Sequence, residues 1–166
     1  NAGAAGAASP ADVARDRELV ISMVADAPDV AEVMRGVANA GVPGLVAVDM
    51  STIAPAAARS IGTELAEAGV DFLDAPVSGG EPGAIAGTLS IMIGGPSAAV
   101  AELDPLFHAI GTTVVRLGDV GAGSLAKACN QMVVAGTLTA LAEAMVLAER
   151  SGLTHRVVPL LEHVAH

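Results

Sequence analysis

Short apolar runs rich in β-branched residues recur along the first two thirds of the chain. Runs of four to six such residues predict buried strands, because a strand covered on both faces has no polar side with which to alternate. We place the predicted strands at residues 19–24, 45–50, 70–73, 89–93 and 113–117.

Helical patterns lie between these runs. Residues 28–38, 55–68 and 97–109 carry apolar positions at helical spacing, with prolines near the helix starts. Strands that alternate with helices predict a largely parallel sheet covered by helices. After Gly123 the pattern changes to one long helix over residues 124–150 and a shorter helix near residues 155–164, so we place a domain boundary near Val120.

The composition narrows the class of protein. With 52% hydrophobic residues over 166 positions, the chain can bury a core. A net charge of −10 argues against binding to nucleic acid and to anionic membranes. The most apolar stretch, residues 132–142, is shorter than the roughly 20 residues of a membrane span, so we expect no membrane association. The single cysteine and the lack of a Cys/His cluster predict a metal-free protein of the reducing cytoplasm.

The loop after the third predicted strand is the first candidate for chemistry, because parallel α/β sheets bind ligands at the carboxyl ends of their strands. It reads Asp-Ala-Pro-Val-Ser-Gly-Gly-Glu-Pro-Gly over residues 74–83. Gly79 and Gly80 allow positive φ, so their N–H groups and the Ser78 hydroxyl can hold a carboxylate. The spacing by itself favours an ordinary tight turn.

The start of the long helix is the second candidate. Lys127, the only lysine of the chain, stands with Asn130 and Gln131 at i, i+3 and i+4, on one helix face. A lysine in a partly dry cleft can donate a proton to a carbonyl oxygen. A lysine is more often found solvated on a helix surface, and the spacing by itself favours that alternative. Cys129 has no histidine near it in sequence, which favours a small core residue over a nucleophile.

Two further loops follow the first two predicted strands, with Met23 and Val24 in one and Ser51 and Thr52 in the other. Such residues are typical of a strand end with a turn and a helix cap. In a dinucleotide-binding fold, the same positions face the cofactor. The expected G-x-G-x-x-G fingerprint after a first strand is absent from the sequence.

Together these segments resemble the β-hydroxyacid dehydrogenase family over nearly the whole chain. Residues 72–80 resemble the substrate loop of the family, and residues 121–127 resemble its catalytic helix. The likeness is closest to the tartronate semialdehyde reductases, in residues 49–55, 80–82, 118–123 and 130–131. The resemblance implies a partial Rossmann-type domain over residues 1–119, doubly wound and mostly parallel, and a long interdomain helix that begins an all-α domain over residues 120–166.

The same resemblance implies roles for the candidate residues. Lys127 is expected to donate a proton in reduction and accept one in oxidation. The substrate is expected to contact Ser78, Gly79, Gly80, Asn130 and Gln131. Relatives often place an asparagine where Gln131 stands, so the division of roles between the two amides stays open. The nicotinamide or its ribose is expected to contact Met23, Val24, Ser51 and Thr52.

The implied reaction is hydride transfer between NAD or NADP and a small anionic 3-hydroxy acid or its semialdehyde. Reduction of tartronate semialdehyde to D-glycerate is favoured, with 3-hydroxyisobutyrate dehydrogenase as the alternative. A catalytically inactive interaction module is the alternative from another class. The first βαβ unit of the family, with the residue that selects NAD or NADP, has no counterpart in this sequence. A full-length chain is expected to form a homo-oligomer, because the helical domain of the family usually dimerises.

Overall fold

The computed structural model describes residues 3–153, so the helix predicted near residues 155–164 lies outside the described residues. The chain divides into two compact units, residues 1–127 and residues 128–166. The predicted domain boundary near Val120 stays a prediction.

The first unit is an α/β layered structure. Its elements, in chain order, are α1 (Pro10–Ala14), β1 (Leu19–Ser22), α2 (Ala27–Asn39), β2 (Val46–Asp49), α3 (Pro55–Glu67), β3 (Asp71–Asp74), β4 (Val77–Ser78), α4 (Gly80–Ala86), β5 (Leu89–Gly94), α5 (Ser97–Glu102), α6 (Asp104–Ile110) and β6 (Gly111–Gly118). The long helix α7 (Ala122–Arg150) begins in this unit and continues into the second. All five predicted strands and the long helix are confirmed, with ends shifted by one to two residues.

The strands form one sheet in the order β1-β2-β3-β5-β4, and β6 also pairs with β5. The predicted parallel arrangement holds for β1 with β2, β2 with β3, and β5 with β6. β5 runs antiparallel to both β3 and β4. The carboxyl ends of β1, β2 and β3 therefore meet at one edge of the sheet.

Two apolar clusters cover the two faces of this sheet. Ala47 of β2 packs in one cluster with the α2 and α3 side chains Met34 and Leu65. Its neighbours Val46 and Val48 pack in the other cluster, with Phe107 of α6. Because successive residues of a strand point to opposite faces, an uninterrupted apolar run is what a central strand of this kind requires.

Three parts of the structure differ from the sequence prediction. The helix predicted over residues 97–109 is two helices, because Pro105 has no backbone N–H to continue α5 and instead occupies the first turn of α6. The predicted loop over residues 74–83 contains β4 and the start of α4. The short helix α1, capped by the Ser9 side chain, was not predicted.

In the second unit, α7 presents many apolar side chains to the surface, among them Met132, Val133, Leu138 and Leu147. One 18-residue window of α7 has a mean hydropathy of 1.6, so by length and composition alone this helix could cross a membrane. The expectation of no membrane association rested on the shorter stretch of residues 132–142 and stays a prediction. Cys129 is exposed, so its predicted place in the core was wrong.

Candidate active site at the carboxyl edge of the sheet

Three polar residues align where β1, β2 and β3 end. Ser22, Asp49 and Asp74 are partners in the parallel register, and all three side chains are buried. Buried polar groups need hydrogen-bond partners, because an unpaired one loses its water without compensation. The partners of these residues identify the segments that this edge holds in place.

Asp49 joins the two loops predicted to face a cofactor. Its Oδ1 accepts hydrogen bonds from the hydroxyls of Ser22 and Ser51, each at 2.7 Å. The Ser51 Oγ in turn accepts from the Val24 N–H at 2.9 Å. Asp49 Oδ2 is buried and has no hydrogen-bond partner among the described residues. The loop after β1 is thus fixed to the loop after β2 through one buried carboxylate.

The loops after β1 and β2 have solvent-exposed residues at the carboxyl edge of the sheet. Met23 is 68% exposed and Thr52 is exposed, whereas Ser51 is buried and its hydroxyl proton is used by Asp49. A cavity of about 430 Å³ beside β1 is lined in part by Ser22, Met23 and Val24. An apolar wall with a few polar atoms is the surface that a nicotinamide ring or its ribose requires, so the residues present fit that group.

The candidate substrate loop has a defined backbone. Ser78 is half-buried and pairs with Ser90 of β5. Gly79 and Gly80 are exposed and have φ of 135° and 60°, as the sequence predicted. Consecutive residues with positive φ can turn their N–H groups toward one point, where a carboxylate can be bound.

Lys127 lies near the start of α7 and is only 7% exposed. Burial lowers the pKa of its ammonium, because the charged form loses water without an equal replacement. The alternative of a solvated surface lysine does not fit this burial. A buried amine with a lowered pKa gives up a proton more readily than a solvated lysine does.

Asp74 holds the start of the helix that carries Lys127. Its Oδ1 accepts from the Gly121 N–H and its Oδ2 from the Ser124 N–H, both at 2.7 Å. Burial raises the pKa of the Asp74 carboxyl, and these backbone hydrogen bonds partly oppose that rise. Asp74 and Asp49 lie within the sequence motifs, but the local pattern predicts no separate role for either residue.

Two glycines allow the helix start to approach the strands this closely. A Cβ on Gly123 would lie 2.3 Å from the Met92 carbonyl oxygen and 2.4 Å from that of Asp74. A Cβ on Gly94 would lie 2.5 Å from Asp74 Oδ1. Any side chain at either position would therefore push α7 away from the ends of β3 and β5.

The two predicted amide residues belong to the second unit. Asn130 is half-buried and Gln131 is exposed, both within the continuous helix α7. Their roles toward a substrate remain predictions, as do those of the other candidate residues.

Two family models match most of the chain. The family model described as the NAD binding domain of 6-phosphogluconate dehydrogenase matches residues 1–118. The model described as the NAD-binding domain of NADP-dependent 3-hydroxyisobutyrate dehydrogenase matches residues 121–160. The two models together extend over both units of the chain.

Individual relatives carry several different activity names. The chain is 39% identical over 153 residues to 2-hydroxy-3-oxopropionate reductase of Escherichia coli strain K12. The matched region covers 90% of this chain and 52% of that protein. The chain is also 40% identical over 160 residues to the NAD-dependent L-serine dehydrogenase of Pseudomonas aeruginosa. That match covers 95% of this chain and 54% of the relative. The chain therefore spans about half the length of these curated relatives.

A solved structure shows the same fold. The 3-hydroxyisobutyrate dehydrogenase of Mycobacterium tuberculosis, with L-serine, superposes with a TM-score of 0.80 at 38% identity. The match covers 88% of this chain and 50% of that one.

Proposed function

From the premise that this chain belongs to the β-hydroxyacid dehydrogenase family, we propose that the protein transfers hydride between a nicotinamide cofactor and a small anionic 3-hydroxy acid or its semialdehyde. The preferred reaction is the reduction of tartronate semialdehyde to D-glycerate. Its support is the 39% identity to 2-hydroxy-3-oxopropionate reductase of Escherichia coli and the resemblance of residues 49–55, 80–82, 118–123 and 130–131 to that subgroup.

The buried Lys127 is the observation that carries this proposal. In reduction, its ammonium gives a proton to the carbonyl oxygen of the substrate while hydride reaches the carbonyl carbon, and the C=O group becomes CH–OH. In oxidation the neutral amine takes that proton back. Bound NAD(P)H supplies the hydride. A lowered lysine pKa serves both directions, because the ammonium gives up its proton more readily and the neutral amine is more accessible than for an exposed lysine.

The remaining candidate residues bind and orient the substrate and the cofactor. The Gly79 and Gly80 N–H groups and the Ser78 hydroxyl hold the substrate carboxylate. Asn130 and Gln131 hold the substrate hydroxyl. Met23, Val24, Ser51 and Thr52 border the nicotinamide and its ribose, and the Asp49 network keeps these two loops together.

Two other substrates are suggested by the names of similar proteins. Oxidation of 3-hydroxyisobutyrate or of L-serine is the first alternative, because relatives with those names are about as similar as the reductase. Turnover of the full-length protein with each of the three substrates, with NAD(H) and NADP(H), separates these activities. A protein that binds neither cofactor and turns over none of them would instead be the inactive interaction module. A cytoplasmic homo-oligomer belongs to the same proposal, and light scattering of the full-length protein tests its oligomeric part.

Replacing Lys127 tests the chemistry. We expect Lys127→Ala in the full-length protein to lower kcat by about 10²–10⁴, the range for loss of a general acid, while the Kd for NAD(P)H stays near the wild-type value. Lys127→Arg is the matched control for charge, since a guanidinium stays protonated and cannot exchange the proton. Wild-type turnover in Lys127→Ala rules the proposal out.

A further inference from the structure

Asp74 lies where the substrate loop and the lysine-bearing helix meet. Ser78 follows Asp74 by only four positions along the chain, and hydrogen bonds hold the segment between them. The Ala75 N–H donates to the Asp49 carbonyl oxygen at 2.7 Å, and the Met92 N–H donates to the Pro76 carbonyl oxygen at 3.0 Å. Beyond them, β4 pairs with β5. The carboxylate-binding loop is therefore fixed relative to the Asp74 backbone.

The Asp74 side chain makes the second connection. The first turn of a helix has N–H groups without partners inside the helix. The Asp74 carboxylate accepts two such groups, those of Gly121 and Ser124, and both of its oxygens are used. Asp74 is 1% exposed, so water cannot replace these bonds when the side chain is altered.

The orientation of α7 follows from the same contact. Gly123 faces the carbonyl oxygens of Met92 and Asp74 so closely that no side chain fits between them. Lys127 stands four residues after Gly123, on the same side of the helix. The hydrogen bonds of Asp74 thus fix the turn from which the Lys127 side chain extends.

We infer that Asp74 is a positioning residue for Lys127: it couples the carboxylate-binding loop to the helix that carries the proton donor and fixes the separation between them. This inference rests on the proposed function, because it assigns Asp74 a task only if Lys127 exchanges a proton with the substrate. Positioning of this kind has large consequences, since a displacement of about 1 Å can cost about 10²-fold in rate.

The test is Asp74→Asn in the full-length protein. The amide keeps the shape of the side chain but offers one acceptor oxygen instead of two, so at least one buried N–H at the helix start loses its partner. The matched control is Asp71→Asn, the same chemical change at the exposed, opposite end of the same strand β3.

Three measurements distinguish positioning from a general loss of structure. We expect Asp74→Asn to lower kcat by about 10²-fold while the Kd for NAD(P)H changes less than about twofold, because the cofactor loops belong to β1 and β2. In the oxidation direction, activity rises as Lys127 loses its proton. A loosened, better hydrated Lys127 has a pKa closer to its ordinary value, so this rise moves to higher pH in Asp74→Asn. Asp71→Asn should match the wild type in all three measurements.

The inference is overturned if folded Asp74→Asn keeps both the wild-type kcat and the wild-type pH profile. It is equally overturned if kcat and cofactor binding fall in parallel, which a purely structural role would give. If Asp74→Asn does not fold, Asp74→Glu carries the test, because it keeps two acceptor oxygens but shifts them by one methylene. The same kcat loss and pH shift are then expected, and their absence overturns the inference. Wild-type activity of Lys127→Ala would instead show that the proposed function itself is wrong.

Discussion

Asp49 and Asp74 occupy equivalent positions on neighbouring strands, but they hold different kinds of partner. Asp49 bonds the hydroxyls of Ser22 and Ser51 with one oxygen and leaves the other without a partner among the described residues. Asp74 bonds two backbone N–H groups and uses both oxygens. The first carboxylate joins two loops through side chains, whereas the second fixes the backbone of a helix.

This difference decides how far each end of the candidate site can adjust. Side-chain hydroxyls can rotate and form hydrogen bonds with another acceptor, so the loops held by Asp49 can adjust to a ligand. The N–H groups held by Asp74 are fixed in direction by the helix, so that end of the site is rigid. We expect substitutions at the Asp74 end to lower the free energy of unfolding more than equal substitutions at the Asp49 end.

The largest expected effect comes from closing the gap between α7 and the strands. Gly123→Ala places a Cβ within 2.4 Å of two carbonyl oxygens, so we expect a loss of about 3 kcal/mol in the free energy of unfolding. The control is Gly136→Ala in the same helix, where a Cβ meets nothing within 4 Å among the described residues and should stabilise by up to about 1 kcal/mol. Urea unfolding measures both. Equal effects of the two substitutions would show that the contact at the helix start does not constrain α7.

A smaller effect is expected when the Asp49 network is altered. Asp49→Ala removes the acceptor shared by Ser22 and Ser51, so we expect the Kd for NAD(P)H to rise about tenfold, equivalent to about 1.4 kcal/mol. Asp49→Asn keeps one acceptor oxygen, so its unfolding free energy should stay within about 1 kcal/mol of the wild type. Isothermal titration and urea unfolding give the two values. If Asp49→Asn lowered the free energy of unfolding as much as Asp74→Asn does, the distinction between the two carboxylates would be removed.

The smallest expected effect is a dependence of stability on pH. The pKa of Asp74 is raised in the folded protein, so the folded state binds more protons than the unfolded state between the ordinary value of 3.8 and the raised value. The contribution of Asp74 to stability should therefore fall as pH rises through this window and stay constant above it. Urea unfolding of the wild type and Asp74→Asn across this range isolates the effect. A wild-type advantage that grows with pH would mean that the hydrogen bonds outweigh burial.

Sequence patterns predicted the sheet and its edge but not the contacts across it. Uninterrupted apolar runs identified β2 and β3, because central strands need apolar residues on both faces. The partners of Asp74 lie 47 and 50 residues away, and those of Asp49 include one 27 residues away, a distance at which local periodicity contains no information. A signal was nevertheless present, since an acidic residue directly after a buried run must find partners in the fold.

The helix spacing around Lys127 predicted which residues share a face but not which face is buried. Lys127 is buried, whereas Cys129, two positions later, is exposed. That choice depends on Asp74 and Gly94, which approach from distant parts of the chain. Pro105 was the local signal for the break between α5 and α6.

The common register of Ser22, Asp49 and Asp74 also determines where the chain can change in length. Inserting one residue within β2 would turn its side chains to the opposite face and replace Asp49 at the edge by a neighbouring residue. Insertions in the turns before the strands, such as the one around Gly41 and Gly44, leave that alignment unchanged. Over evolutionary time, gains and losses of residues in this chain should therefore collect at the amino-terminal edge of the sheet.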